Sequence, residues 1–110
     1  MNGPRVLAIY TNRALQYELF EAIHKEHPKA EPVLYVRKSL DISQIITIAF
    51  DAANLAVSIA VLAVQLRGKS IRGEQSGLTL EIKDGDRNLK IEIDNGDVDV
   101  EKIVSEFLEG

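Results

Sequence analysis

The residues closest to a metal-binding arrangement are one glutamate and both histidines of the chain. Glu21, His24 and His27 follow one another at intervals of three, which on a helix places consecutive side chains about 60° apart and within reach of one ion. Cysteine, the other common ligand of structural zinc, is absent from the sequence. Without further ligands, these residues are typical of an exposed helix end, and we expect no metal ion and no other cofactor.

Two short motifs imitate ligand-binding loops, and each lacks an essential residue. Residues 84–88, Asp-x-Asp-x-Asn, copy the first three ligand positions of a calcium loop, but Leu89 occupies the glycine position and Asn95 that of the bidentate acid. Residues 68–70, Gly-Lys-Ser, copy the end of a phosphate-binding loop, whose first glycine would fall at Ala63. We interpret the first motif as a hairpin turn and the second as a segment that follows a helix.

Nucleophilic catalysis is not indicated by the remaining residues. Six serines are scattered along the chain without a base at a recognisable spacing, and there is no cysteine thiol. The carboxylates between residues 94 and 101 lie where a strand ends and a helix begins, a position in which they stabilise the helix. The sequence therefore predicts a protein without enzymatic activity.

Charge is distributed unevenly along the chain. Residues 1–72 carry a net charge of +3 and residues 73–110 one of −7, which gives −4 overall. A short basic run, Arg67, Lys69 and Arg72, supplies the candidate contacts for an anion or a nucleic acid. No aromatic residue accompanies the run to stack a base, and an acidic chain lacks the basic surface of nucleic-acid-binding domains. The sequence therefore argues against a nucleic acid as the main partner.

The length and composition indicate one globular domain, residues 1–110. Hydrophobic residues make up 45% of the chain and charged residues 27%, which excludes a disordered chain. The short apolar stretch after Arg5 is too short for the core of a signal peptide, and the lack of cysteine suits a reducing compartment, so we expect a cytoplasmic protein. A domain of this size buries only about two-thirds of its unfolded surface, so association with another chain would stabilise it.

The amino-terminal third has the pattern of a strand–helix–strand unit. Residues 6–10 form an apolar run typical of a strand that is covered on both faces. Apolar residues then recur at helical spacing from Leu15 to Ile23, and Pro28 ends the helix. Residues 33–36 predict a second strand, and this spacing favours a crossover with the two strands parallel.

The carboxyl-terminal third predicts a hairpin followed by a helix. Residues 78–82 and 89–93 alternate between apolar and polar side chains on either side of a turn, and apolar residues recur at helical spacing from Val100 to Leu108. With a central helix, described next, the predicted order is βαβαββα. We expect an α/β (α+β) fold of two layers, in which a four-stranded mixed sheet carries the helices mainly on one face.

The central segment, residues 41–67, is strongly apolar and predicts one long helix. Its few polar residues between Ile45 and Leu66 fall on one narrow stripe of a helical wheel. Opposite the stripe lies a strip of alanines flanked by bulkier residues, and such a strip lets another backbone approach closely. The residues that this pattern nominates for an interface are Ala49, Ala52, Ala56, Val57, Ala60, Val61, Ala63 and Val64.

Three environments are compatible with so apolar a helix. It can be covered within the monomer, shared with a second protein chain, or inserted into a membrane, for which about 20 residues suffice. Asp51 lies inside the segment and argues against the membrane. Because a domain of 110 residues has little else to cover such a helix, we predict self-association, most simply a homodimer, through its apolar surface. The contact either places the alanine strip against its own copy or, if the sheet covers the alanines, buries a flanking ridge of bulkier residues such as Val57 and Val61. The second form is favoured.

Three features of the central and carboxyl-terminal segments occur together. They are a long alanine-rich helix ending in Gln65-Leu66-Arg67, an alternating hairpin over residues 78–93, and a short helix with an acidic start near Asp97. In this combination, residues 49–108 resemble the effector-associated constant component family of bacterial conflict systems. The resemblance implies a small non-enzymatic partner of variable effector modules that acts by protein–protein contact, and the family offers no catalytic residues to transfer.

We therefore predict a cytoplasmic adaptor that binds an effector or regulator protein of a conflict system. A nucleic-acid- or ribosome-binding domain is the first alternative, because the order βαβαββ also occurs in a ribosome-binding translation-factor domain and in small archaeal chromatin proteins. This chain lacks their basic surface. Membrane association through the central helix is the second alternative.

Overall fold

The computed structural model describes residues 5–11, 13–35, 44–69, 77–93 and 99–109. The chain folds into the predicted α+β class, with a sheet and three helices in these ranges. The elements in chain order are β1 (Arg5–Thr11), α1 (Arg13–Glu26), β2 (Val33–Tyr35), β3 (Gln44–Ala49), α2 (Ala53–Lys69), β4 (Leu78–Asp84), β5 (Arg87–Ile93) and α3 (Val100–Glu109).

The sheet differs from the prediction in strand number and direction. Its described strands number five, in the order β2-β3-β1-β4-β5, and each neighbouring pair is antiparallel. The prediction of a four-stranded mixed sheet is therefore wrong, as is the order βαβαββα. β1 and β2 do run in the same direction, but β3 lies between them and pairs with both.

The additional strand, β3, occupies part of the segment that was predicted as helix. Ile46 and Ile48 are fully buried, whereas Ile45 and Thr47 are half-buried and Ala49 is exposed. This alternation has the period of two that defines a strand with one covered face. The run from Ile45 to Ile48 is entirely β-branched, which favours a strand over a helix. The central helix consequently begins at Ala53 and not near residue 41.

The hydrophobic core lies on one face of the sheet. In the central strand, Leu7 is opposite Ile48 on one side and Ile82 on the other, while Ile9 is paired in the same way with residues of β3 and β4. These side chains are fully buried. Each of the three helices contributes buried residues to the same cluster, so the helices cover this face and form the second layer.

The helix α2 lies in the middle of the helical layer, because it contacts both α1 and α3. Ala56, Ala60 and Ala63 turn inward with Ile59, and all four are fully buried in the core cluster. Alanine carries no side chain beyond Cβ, so its presence lets a helix approach its neighbours closely. These three alanines of the strip thus pack inside the chain.

Polar contacts fix the two ends of α3. Asp99 Oδ1 accepts a hydrogen bond of 3.1 Å from the backbone N–H of Lys102, which caps the amino-terminal end. At the other end the Arg87 guanidinium lies 4.3 Å from the Phe107 ring centroid and donates to the Phe107 carbonyl. The helix that flanks α2 is therefore held at both ends, by its own cap and by β5.

Candidate protein-contact surface

The structure divides the predicted interface residues into three groups. Ala56, Ala60 and Ala63 are 0% exposed, so their side chains have no surface to offer a second chain. Ala49 and Ala52 are exposed, but they lie in β3 and in the bend before α2 and not on the helix. The remaining three residues, Val57, Val61 and Val64, are half-buried on α2.

These positions correct the predicted contact between two alanine strips. The predicted helix starts near residue 41, whereas α2 starts at Ala53, so Ala49 and Ala52 do not extend the strip. The rest of the strip is covered by the chain's own core. Of the two forms of self-association, only one that uses a flanking ridge such as Val57 and Val61 is compatible with this fold.

A groove crosses the outer side of the helical layer at that ridge. It has a volume of about 380 Å³ and is open to solvent. We call it the α2 groove. It is lined by Val57, Ser58, Val61, Leu62 and Gln65 of α2, Glu26 and His27 at the end of α1, and Glu101 at the start of α3.

The α2 groove combines an apolar floor with acidic edges. Val57, Val61 and Leu62 are half-buried and supply the apolar part of the floor, and the exposed Ser58 and Gln65 lie between Val61 and Leu62 around α2. Glu26 on one side and Glu101 on the other are exposed. A concave surface of this kind can accept apolar side chains and select the charge of their neighbours.

The opposite face of the sheet has a different chemistry. A shallow pocket there is lined by Tyr10, Thr79, Glu81 and Lys90, and the Tyr10 hydroxyl donates a 3.1 Å hydrogen bond to Glu81 Oε1. Lys90 Nζ forms an ion pair with Glu92 Oε1 at 3.8 Å. The alternation of the hairpin predicts that its polar side chains, Thr79, Glu81, Lys83, Lys90, Glu92 and Asp94, face water. Lys83, Lys90 and Glu92 are exposed as predicted, and Thr79 and Glu81 are half-covered. Asp94 lies outside the described residues.

The basic run is only partly within the described residues. Arg67 is half-buried near the carboxyl end of α2 and is engaged in an interaction of its own. Lys69 is the last residue of α2, and Arg72 lies outside the described ranges. The candidate anion site therefore lies partly outside the described residues and stays a prediction.

Of the two motifs that imitate ligand-binding loops, residues 68–70 do not simply follow a helix, because Gly68 and Lys69 are the last residues of α2 and Ser70 lies outside the described residues. The other motif, residues 84–88, contains the hairpin turn. Gly85 and Asp86 form the two-residue turn between β4 and β5, with Gly85 at a φ of 64°, a conformation that glycine adopts without steric cost. The Asp84 carboxylate forms ion pairs with two guanidinium groups: Oδ1 lies 3.4 Å from Arg5 Nε, and Oδ2 lies 3.7 Å from Arg87 Nη1. The hairpin interpretation is confirmed.

Within the part of the chain that the structure describes, no three His, Asp or Glu side chains gather closely enough to hold a metal ion. His24 is exposed and its ring meets that of Phe20 edge-on at 4.8 Å. None of the helices in the described ranges is both long and apolar enough to cross a bilayer.

Comparison of the sequence with protein-family models and with curated proteins finds no match. The resemblance to the effector-associated family therefore stays a prediction.

Sequence reasoning missed the residues that make the ridge of α2 a groove. His27 and Glu101 were assigned to helix ends, Glu26 was given no role, and nothing in the spacing of the three residues connects them with Val61. Leu62 is one of the bulkier residues that flank the alanine strip, but it was not among the residues predicted for the interface. The sequence held only an indirect signal for these residues. If α1 and α3 pack on either side of α2 in one layer, some residues at their ends must lie beside α2.

Proposed function

We propose that the protein is a small cytoplasmic adaptor domain that binds another protein through the α2 groove and performs no chemistry of its own. The observation that carries the proposal is the half-buried pair Val57 and Val61 on the floor of a groove between three helices. When a partner's apolar side chains cover apolar side chains in a concave surface, both are removed from water, and this burial stabilises the complex.

The resemblance supplies the biological setting. Members of the effector-associated family are partners of variable effector modules, so we propose that the bound protein is an effector or regulator of a bacterial conflict system. A partner encoded beside this chain is the first to test. The proposal is supported by co-elution of the chain with such a gene product on size exclusion, and it fails if the products of neighbouring genes all elute separately.

Nucleic-acid binding remains the competing proposal, and it rests on the basic run. It predicts a salt-dependent gel shift with RNA or DNA that disappears when Arg67, Lys69 and Arg72 are replaced by alanine. The adaptor proposal predicts no such shift at physiological ionic strength.

Self-association through the same ridge gives a prediction of its own. We expect sedimentation equilibrium at micromolar concentration to show a dimer of the 12.2 kDa chain. Val61→Asp should move the distribution toward the monomer, because it places a charge on the apolar contact. Thr79→Asp, a charge on the open face of the sheet, is the matched control and should leave the dimer intact. A monomer for the unaltered chain contradicts the homodimer.

A further inference from the structure

We propose that the α2 groove binds a basic amphipathic helix of the partner protein. This inference rests on the proposed function and names the chemistry of the partner segment: a helix with an apolar ridge flanked by lysine or arginine.

The floor of the groove selects an apolar ridge. Val57 and Val61 are four residues apart and therefore lie one above the other along α2, and the exposed Ser58 and Gln65 separate this row from Leu62. The sequence of α2 holds no charged residue between Ala53 and Leu66. A partner helix that lies along this row can bury its own apolar residues at helical spacing, which is how amphipathic helices bind in grooves.

The edges of the groove select positive charge. Glu26 ends α1 and Glu101 is in the first turn of α3, and both side chains are exposed. Of their basic sequence neighbours, Lys25 and Lys102 do not line the groove, whereas the half-buried His27 does. A helix bound over the valines would therefore have a carboxylate on either side, and lysine or arginine flanking its apolar ridge would complement both.

A second copy of the chain fits the groove less well. In a twofold contact each groove meets its own copy, so the edges that approach one another carry the same acidic residues. Such a contact still buries the apolar side chains, but it also brings the carboxylates of the two chains together. Added salt weakens this repulsion between like charges. We therefore expect self-association to strengthen with salt and binding of a basic helix to weaken with it, and we expect the basic helix to bind more tightly at low salt.

The test uses synthetic helices in place of the unidentified partner. A fluorescein-labelled 14-residue amphipathic peptide of leucine and lysine is titrated with the full chain, and anisotropy is recorded at low and at high salt. A leucine–glutamate peptide of identical pattern and a leucine–lysine peptide with a scrambled pattern serve as controls. We expect the first peptide to bind, the glutamate peptide to bind at least about tenfold more weakly, and the scrambled peptide to lose binding because it has no apolar ridge.

Two double variants with the same change of net charge locate the contact. Glu26→Gln with Glu101→Gln should weaken binding of the leucine–lysine peptide by about three- to tenfold at low salt and reduce its salt dependence. Glu18→Gln with Glu92→Gln removes two exposed carboxylates that do not line the groove, and it should leave binding unchanged. Circular dichroism melting establishes that both variants remain folded.

Several outcomes would overturn the proposal. They are failure of the leucine–lysine peptide to bind, equal binding of the glutamate peptide, and equal losses in the two double variants. A salt-strengthened dimer that excludes the peptide would assign the groove to a second copy instead. An effector could bind the unaltered chain, lose its affinity in Val61→Asp, and keep it in Glu26→Gln with Glu101→Gln. In that case the basic-helix proposal fails, while the proposed adaptor function stands.

Discussion

Replacing either Ile46 or Ile48 by alanine is expected to lower the free energy of unfolding by about 2–5 kcal/mol. Both side chains are fully buried in β3, each opposite a buried residue of β1. Truncation removes their burial and leaves a cavity between the sheet and the helices. The two residues are two positions apart, so a helix would place them on nearly opposite sides. Equally large losses of unfolding free energy in the Ile46 and Ile48 variants therefore indicate a strand and not a helix.

The control for this pair is Ile45→Ala. Ile45 is half-buried on the other face of β3, where truncation should cost only about 1 kcal/mol. Urea unfolding of the three variants at one protein concentration gives the comparison. A loss at Ile45 as large as that at Ile46 or Ile48 would contradict the assignment of residues 44–49 to a strand with its core face at the two buried positions.

Ala56→Leu is expected to lower the free energy of unfolding by about 1–3 kcal/mol. Ala56 is 0% exposed on the inner side of α2, within the core cluster that joins the sheet to the helices. A larger side chain there must displace α2 from its neighbours or adopt a strained rotamer. The expected loss arises in the single chain, since no partner is needed to cover this residue.

Asn54→Ala is the matched variant on the outer side of the same helix. Asn54 is exposed, and alanine is the better helix former, so we expect a change within about 0.5 kcal/mol. Thermal melts of both variants at several protein concentrations complete the test. An unchanged melting temperature for Ala56→Leu would mean that the alanine strip is not a close-packed surface.

Elements with one clear periodicity could be predicted from the sequence. The hairpin alternates strictly over residues 78–82 and 89–93, and α1 and α3 repeat apolar residues at three and four, so each pattern fits one type of element. Ala56, Ala60 and Ala63 of the alanine strip were also correctly identified as a close-packed surface. These signals are local, because each element carries on its own sequence the pattern of the face it buries.

The strand β3 could not be separated from α2 by the same means. Residues 45–50 are almost uniformly apolar, and such a run satisfies a strand and a buried helix equally well. The β-branched residues were the discriminating signal, but they directly precede the alanines of α2 and were included in the same helical wheel. Insertion of β3 between β1 and β2 depends on tertiary pairing, which no local pattern records.

The candidate site was predicted only in part, for a related reason. A helical wheel shows how much of α2 is apolar, but the share left exposed depends on where α1, α3 and the sheet lie. Once these cover the alanines, Val57 and Val61 remain, and the acidic edges come from other helices. The prediction of a protein contact on α2 therefore stands on two of its valines and not on its alanine strip.

The central claim is that the α2 groove is a protein-binding surface, and isothermal titration calorimetry with the product of a neighbouring effector gene tests it most directly. We expect micromolar or tighter binding by the unaltered chain, a loss of at least about tenfold in Val61→Asp, and unchanged affinity in Thr79→Asp on the open face of the sheet. Equal affinity of Val61→Asp and the unaltered chain, with Val61→Asp still folded, would contradict the claim.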